Sequence, residues 1–125
     1  MRFYQTDGGR VGDGFVNEKL DCAVRAYSIA RGIPYSDAHM LFKQAGRLDR
    51  HKTYLEHYQK LGFNFCLFDG TVAQFVRLHP RGRYYIGIRG HAMALVDGVI
   101  YDTGYIPKRA KIKYFVNFTY SKEKP

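Results

Sequence analysis

Cys22, His91 and Asp102 lie far apart in the chain, yet they carry the three groups that thiol catalysis uses. A thiolate attacks a carbonyl carbon, an imidazole carries the proton, and a carboxylate fixes the tautomer of the imidazole. Local pattern brings the last two together. Asp97-Gly98, between the apolar runs His91 to Val96 and Val99 to Asp102, reads as a two-residue hairpin turn. Val96 then pairs with Val99, Ala94 with Tyr101 and Met93 with Asp102, and His91 falls opposite Gly104. His91 and Asp102 become diagonal neighbours on one face, about 7–8 Å apart at the α-carbons, which the two side chains can bridge. Asp97 has the same parity but sits at the far turn. Cys22 opens a helix, where free amides and the helix dipole lower a thiol pKa, and a nearby imidazolium would lower it further. Cys66 falls in a short strand and reads as a packing residue.

The surrounding elements follow from periodicity and punctuation. Met1 to Gly14 is glycine-rich and reads as an irregular or weakly extended arm. A helix from Asp21 or Cys22 to Arg31 has its apolar face in Val24, Ala26, Tyr27, Ile29 and Ala30, and Gly32 ends it. Asp21 favours the helix dipole. Ser36 is the expected N-cap of a second helix through Gln44, with His39 on its polar side. Thr53 and Glu56 have capping-box spacing for a short helix from Tyr54 to Leu61, and Thr71 and Gln74 have it for Val72 to Leu78. His79 should cap the end of that helix at the surface. Phe63 to Leu67 alternates as a short strand. After Arg83 the pattern turns to strands: Tyr84 to Arg89, His91 to Val96, Val99 to Asp102 and Ile112 to Phe118. Residues 121–125 should fray. Helices first and antiparallel strands afterwards describe an α+β fold, expected as one domain over residues 1–125.

Composition narrows the chemistry. Twenty Lys and Arg against 11 Asp and Glu give a formal charge of +9, which favours acidic partners, nucleic acid among them. The excess is dispersed, with short runs only at Arg77 to Arg83 and Lys108 to Lys113. Two cysteines are too few for a disulfide framework, and reduced thiols suit the cytoplasm. No apolar run is long enough to span a membrane, so no membrane partner is expected. Zinc would need four ligands from Cys22, Cys66, His91 and one of His51 or His57, and no close CxxC or HxxxH pair seeds such a site. No glycine-rich phosphate loop is present, and neither metal nor cofactor is expected.

With those residues in view, the sequence resembles the papain-like cysteine peptidase superfamily, closest to its small phage and bacterial members. The resemblance rests on Asp21-Cys22-Ala23-Val24-Arg25-Ala26, on Gly32-Ile33-Pro34-Tyr35, on Gly82-Arg83-Tyr84, and above all on the run from Gly90-His91 to Asp102-Thr103. It implies a compact papain-like fold, with N-terminal helices packed on a C-terminal antiparallel sheet. It also implies Cys22 as nucleophile, His91 as general base and acid, and Asp102 as the group that orients His91. The amide of Cys22 would help to stabilise an oxyanion. Papain-like enzymes carry a Gln shortly before the Cys; here Val16 stands in that position and Asn17 follows it as the substitute donor. The implied activity is thiol-dependent hydrolysis of an amide or isopeptide bond in a peptide or protein substrate, in the cytoplasm of a host if the chain is phage-encoded. The rival reading is a basic, non-catalytic module binding nucleic acid or protein. Arg83 and Arg89 beside Tyr84 and Tyr85, with lysines around Tyr105, would then track phosphates and stack bases.

Overall fold

The computed structural model describes residues 1–104 and 108–119. Expectations for Tyr105 and for the frayed end over 121–125 lie outside the described residues. The elements are β1 (Arg2–Gln5), α1 (Cys22–Arg31), α2 (Tyr35–Gln44), α3 (Leu55–Lys60), α4 (Val72–Leu78), β2 (Arg83–Ile88), β3 (His91–Val96), β4 (Val99–Asp102) and β5 (Tyr114–Asn117). Four helices and one five-stranded sheet, ordered β1-β4-β3-β2-β5, make a mixed α+β architecture.

The hairpin behaves as its turn requires. Asp97 and Gly98 both take positive φ, 48° and 81°, and the pairs Val96↔Val99 and Ala94↔Tyr101 form. The C-terminal strands β2 to β5 pair antiparallel as expected. β1 adds to β4 in parallel, with Gln5 opposite Asp102, so the arm expected to be irregular or weakly extended contributes an edge strand. Its four residues are all exposed, so no alternation marks them, and their partner lies at the other end of the chain. Phe63 to Leu67 makes only an isolated bridge, Cys66 to Phe115, and the alternation fails at the 87% exposed Leu67.

Helix ends show where local pattern suffices. α1 buries Val24, Ala26, Tyr27 and Ala30 and stops at Gly32, whose φ of 70° suits a residue without a β-carbon. Thr71 and Gln74 cap α4 reciprocally, at 3.2 and 2.8 Å. α2 starts at Tyr35 after Pro34, and Ser36 does not cap it. Instead the Ser36 amide donates to Asp13 Oδ2 at 3.0 Å, a cap brought by the N-terminal arm. α3 is shifted by one residue from its expected box: His57 Nδ1 accepts from the Tyr54 amide at 3.0 Å. Thr53 Oγ1 is left buried without a partner among the described residues.

Strand parity divides the apolar side chains into two clusters. Tyr85, Ala92, Ala94 and Val116 join residues of α1 and α2, whereas Ile86, Met93, Leu95 and Ile100 join Val72 and Phe75 of α4. Gly87 of β2 lies under the Tyr114 ring, where a β-carbon would approach ring atoms to 2.3–2.7 Å.

A buried carboxylate ties the loops ahead of α1 and behind α2. Glu18 accepts from Arg47 Nη1 and Nη2 at 3.2 and 3.1 Å, from the Arg50 amide at 2.6 Å, and contacts His39 Nε2 at 2.8 Å. His39 is therefore buried and not on the surface. Burial alone would raise the Glu18 pKa, but Arg47, His39 and the Lys19 amide outweigh it and hold it at about 2 against the usual 4.5. Among the described residues, no helix is long and apolar enough to cross a membrane.

Two substitutions probe this framework. Glu18→Gln leaves the Arg47 guanidinium buried and uncompensated, and should cost about 3 kcal/mol at pH 7. Because the folded-state pKa is depressed, the ion pair stabilises fully above about pH 4.5 and fades as pH falls toward 2, so the gap in urea-denaturation midpoint between the two proteins should close over that window. Gly87→Ala drives a methyl group into Tyr114 and should cost about 2 kcal/mol, seen as a lower midpoint at unchanged slope.

Candidate active site

β3 and β4 run antiparallel, so the first residue of β3 and the last of β4 reach the same end of the sheet. Those residues are His91 and Asp102. Nε2 of His91 is hydrogen-bonded to Oδ2 of Asp102. Oδ1 of Asp102 accepts from the Thr103 amide at 2.7 Å and lies 3.8 Å from Nη2 of Arg25. The Thr6 amide donates to the Asp102 carbonyl at 2.8 Å, so β1 pins the strand end that carries the carboxylate. Asp102 is buried at 4% exposure, while Cys22 and His91 are half-buried and open to a pocket.

α1 begins at this same end, with Cys22 as its first residue. With Nε2 of His91 held by Asp102, Nδ1 is the ring nitrogen left over, and Cys22 and His91 line the same pocket. Burial pushes the Cys22 pKa up, but the hydrogen bond and charge of His91, the Ala92 amide and the Arg25 guanidinium outweigh it, and the net shift is downward. The hydrogen bond to Asp102, then that to Cys22, raises His91 to about 9 against the opposing effect of burial. Both shifts run toward the thiolate–imidazolium form of the pair.

Asp21 has a different role from the expected favourable charge at a helix start. Its carboxylate is fully buried and makes no helix cap. It accepts from Tyr35 Oη at 2.8 Å and pairs with Arg10 at 3.3 Å and closely with Arg25. An uncompensated anion next to Cys22 would oppose thiolate formation; two guanidiniums prevent that, and the first-turn amides keep their dipole for the sulfur. Arg25 also faces Asp102, so one side chain spans the helix start and the carboxylate that orients His91. Leu20, at φ 55°, makes the bend into this segment in a conformation that costs a non-glycine residue about 1–3 kcal/mol.

Other expected site residues fall elsewhere. Asn17 is exposed and lines a separate depression with Glu18, Asp49 and Arg50. Arg83 donates from Nε to the Ala30 carbonyl at 2.8 Å and from Nη2 to that of Ile29 at 2.7 Å, so it satisfies the C-terminal end of α1. Arg89 is exposed in the turn before Gly90. Tyr105 lies outside the described residues. Sequence reasoning missed Arg25, although Asp21 and Arg25 have the i,i+4 spacing of a helical ion pair. It also missed a pocket of about 270 Å³ beside Cys22 and His91, lined in part by Lys52, Tyr58, Lys113 and Tyr114. These residues come from segments with no common local signal.

No protein-family model, curated protein or solved structure matches this chain.

The electrostatics predict a difference between the two thiols. Alkylation by iodoacetamide, followed by peptide mapping across pH, should show Cys22 reacting with an apparent pKa below the ordinary value of about 8.5 and Cys66 far more slowly at neutral pH. In His91→Ala burial acts without its main counterweight, so the apparent pKa of Cys22 should rise above that value. Equal pH profiles for Cys22 in the two proteins would remove the proton relay.

Proposed function

We propose that this chain is a thiol hydrolase that cleaves an amide or isopeptide bond, built on a papain-like arrangement. The observation that carries the reading is the convergence of Cys22 and His91 on one pocket, with the His91 ring hydrogen-bonded to the Asp102 carboxylate. The chain order of Cys opening a helix, His opening a strand and Asp closing the next strand is that of the superfamily the sequence resembles.

The Cys22 thiolate adds to the substrate carbonyl carbon, and the C=O π pair moves to the oxygen. The Cys22 amide, at a helix start that no side chain caps, is the donor assigned to that oxyanion. Collapse restores the C=O and breaks the C–N bond. The His91 imidazolium gives its proton to the departing nitrogen, which leaves as an amine. Water then attacks the thioester, His91 takes its proton, and the C–S bond breaks to release the acid and regenerate the thiolate. Asp102 acts through His91 by holding Nε2, which keeps Nδ1 toward the sulfur.

The binding-module reading loses several of its groups. Tyr84 and Tyr85 are buried in opposite clusters and cannot stack on bases, and Arg83 is engaged by α1. Free cysteines and a partner of acidic character suit a hydrolase in a reducing compartment equally well.

The acyl-transfer half-reaction is testable without the natural substrate. p-Nitrophenyl acetate should give a burst of nitrophenolate and an acetyl group on Cys22, found by peptide mapping. Cys22→Ala should abolish the burst, His91→Ala should slow it about 10²-fold or more, and Cys66→Ala should leave it unchanged. A burst that survives in Cys22→Ala would overturn the assignment. Cleavage of a mixed peptide library, dependent on the same two residues, tests the amide reaction itself.

A further inference from the structure

We propose that the pocket beside the thiol binds a carboxylate of the substrate, so that the preferred substrate is an acidic peptide held by Lys52 and Lys113. The proposal rests on the hydrolase reading and adds its substrate class.

The pocket's charge is one-sided. Besides the thiol and two tyrosines, its ionisable lining is Lys52, Lys113 and His91, with no carboxylate among the described residues that line it. Neither lysine has an ion-pair partner among the described residues, whereas Lys43 and Lys111 lie 3.9 and 3.8 Å from Asp49 and Asp69. Two cations left without counter-ions on one concave surface create a field that an anionic group would relieve.

The remaining lining adds shape and hydrogen bonds. Thr53 Oγ1 is a buried hydroxyl with no partner among the described residues, and Thr53 lines the pocket with Lys52. A buried hydroxyl in that state gains from a ligand oxygen. Tyr58 and Tyr114 contribute phenols whose ionisation is disfavoured chiefly by burial. Leu20 and Ile88 offer apolar surface for an aliphatic stem. At about 270 Å³ the pocket lies below the usual range for drug-sized ligands and suits one side chain or one chain end. Both a Glu or Asp side chain and a peptide C-terminus carry the required group.

The cleanest probes are iodoacetate and iodoacetamide, which differ chiefly in a carboxylate against a carboxamide. In each, the sulfur of Cys22 forms an S–C bond and iodide leaves with the C–I pair. Cys66 in the same molecule serves as the internal reference. The iodoacetate-to-iodoacetamide rate ratio at Cys22 should exceed that at Cys66 by about tenfold and shrink as salt is added. In Lys52→Ala/Lys113→Ala the ratio at Cys22 should fall about fivefold; because both reagents attack the same thiol, the ratio cancels any change in its own reactivity and reads the lost lysine contacts alone. A ratio unchanged by the double substitution, with rapid iodoacetamide reaction, would sink the carboxylate pocket alone. Iodoacetamide reaction at Cys22 as sluggish as at Cys66 would sink the activated thiol, and this proposal with it.

Peptides carrying one Michael acceptor separate the two carboxylate sources. Faster capture of Glu than Gln before the acceptor, with both ends blocked, assigns the pocket to a side chain. Faster capture of a free C-terminus than its amide assigns it to a chain end. No preference in either series overturns the proposal.

Discussion

The register between β3 and β4 governs both the core and the candidate site. A slip of one residue would turn Leu95 and Ile100 out of the cluster they share with Val72 and Phe75. The same slip would carry His91 away from Asp102. Burial of large aliphatic side chains therefore selects the pairing that also aligns imidazole and carboxylate. β1 reinforces it from outside, because Gln5 pairs with Asp102 and Thr6 bonds to its carbonyl.

Buried charge is the second organising feature. Asp21 and Glu18 are both nearly inaccessible, and each is surrounded by donors from distant segments. Glu18 gathers Arg47, His39 and the Arg50 amide; Asp21 gathers Arg10, Arg25 and Tyr35. Burial of an ion is tolerated only when charge and hydrogen bonds replace the lost water, and these two carboxylates meet that condition. They also join the glycine-rich arm and α2 to the start of α1, where Cys22 stands. Glu18, His39 and Asp49 bring potential ligand atoms within 4.8 Å, but the Arg47 guanidinium already occupies the cation's place at Glu18.

Cys22 shows how a half-buried thiol can favour its charged form. Desolvation opposes the thiolate, and only the combination of imidazolium, amide and guanidinium reverses the balance. The contributors arrive by two routes: His91 and Ala92 on β3, Arg25 from the next turn of α1. Arg25 is shared between Asp21 and Asp102, so the helix and the sheet meet through one guanidinium.

Where a glycine or a turn residue fixes the backbone, the residues alone were decisive. The Asp97-Gly98 turn dictates β3, β4 and their pairing, because positive φ at two successive positions suits few residues. Gly32 ends α1 and Thr71 opens α4 for equally local reasons. The cysteine at a helix start, and the histidine and aspartate on the hairpin, were legible for the same reason. Contacts across the chain were decided only by the tertiary fold. β1 found its partner at the opposite end of the sequence, Asp13 replaced Ser36 in capping α2, and His39 was drawn inside by Glu18. Asp21, expected as a charge favourable to the helix dipole, became a buried hub, and Lys52 and Lys113 met in one pocket from segments that share no pattern. Hydrogen-bonded turns and periodic faces act over a few residues, whereas ion pairs and pockets depend on which surfaces the packed core brings together.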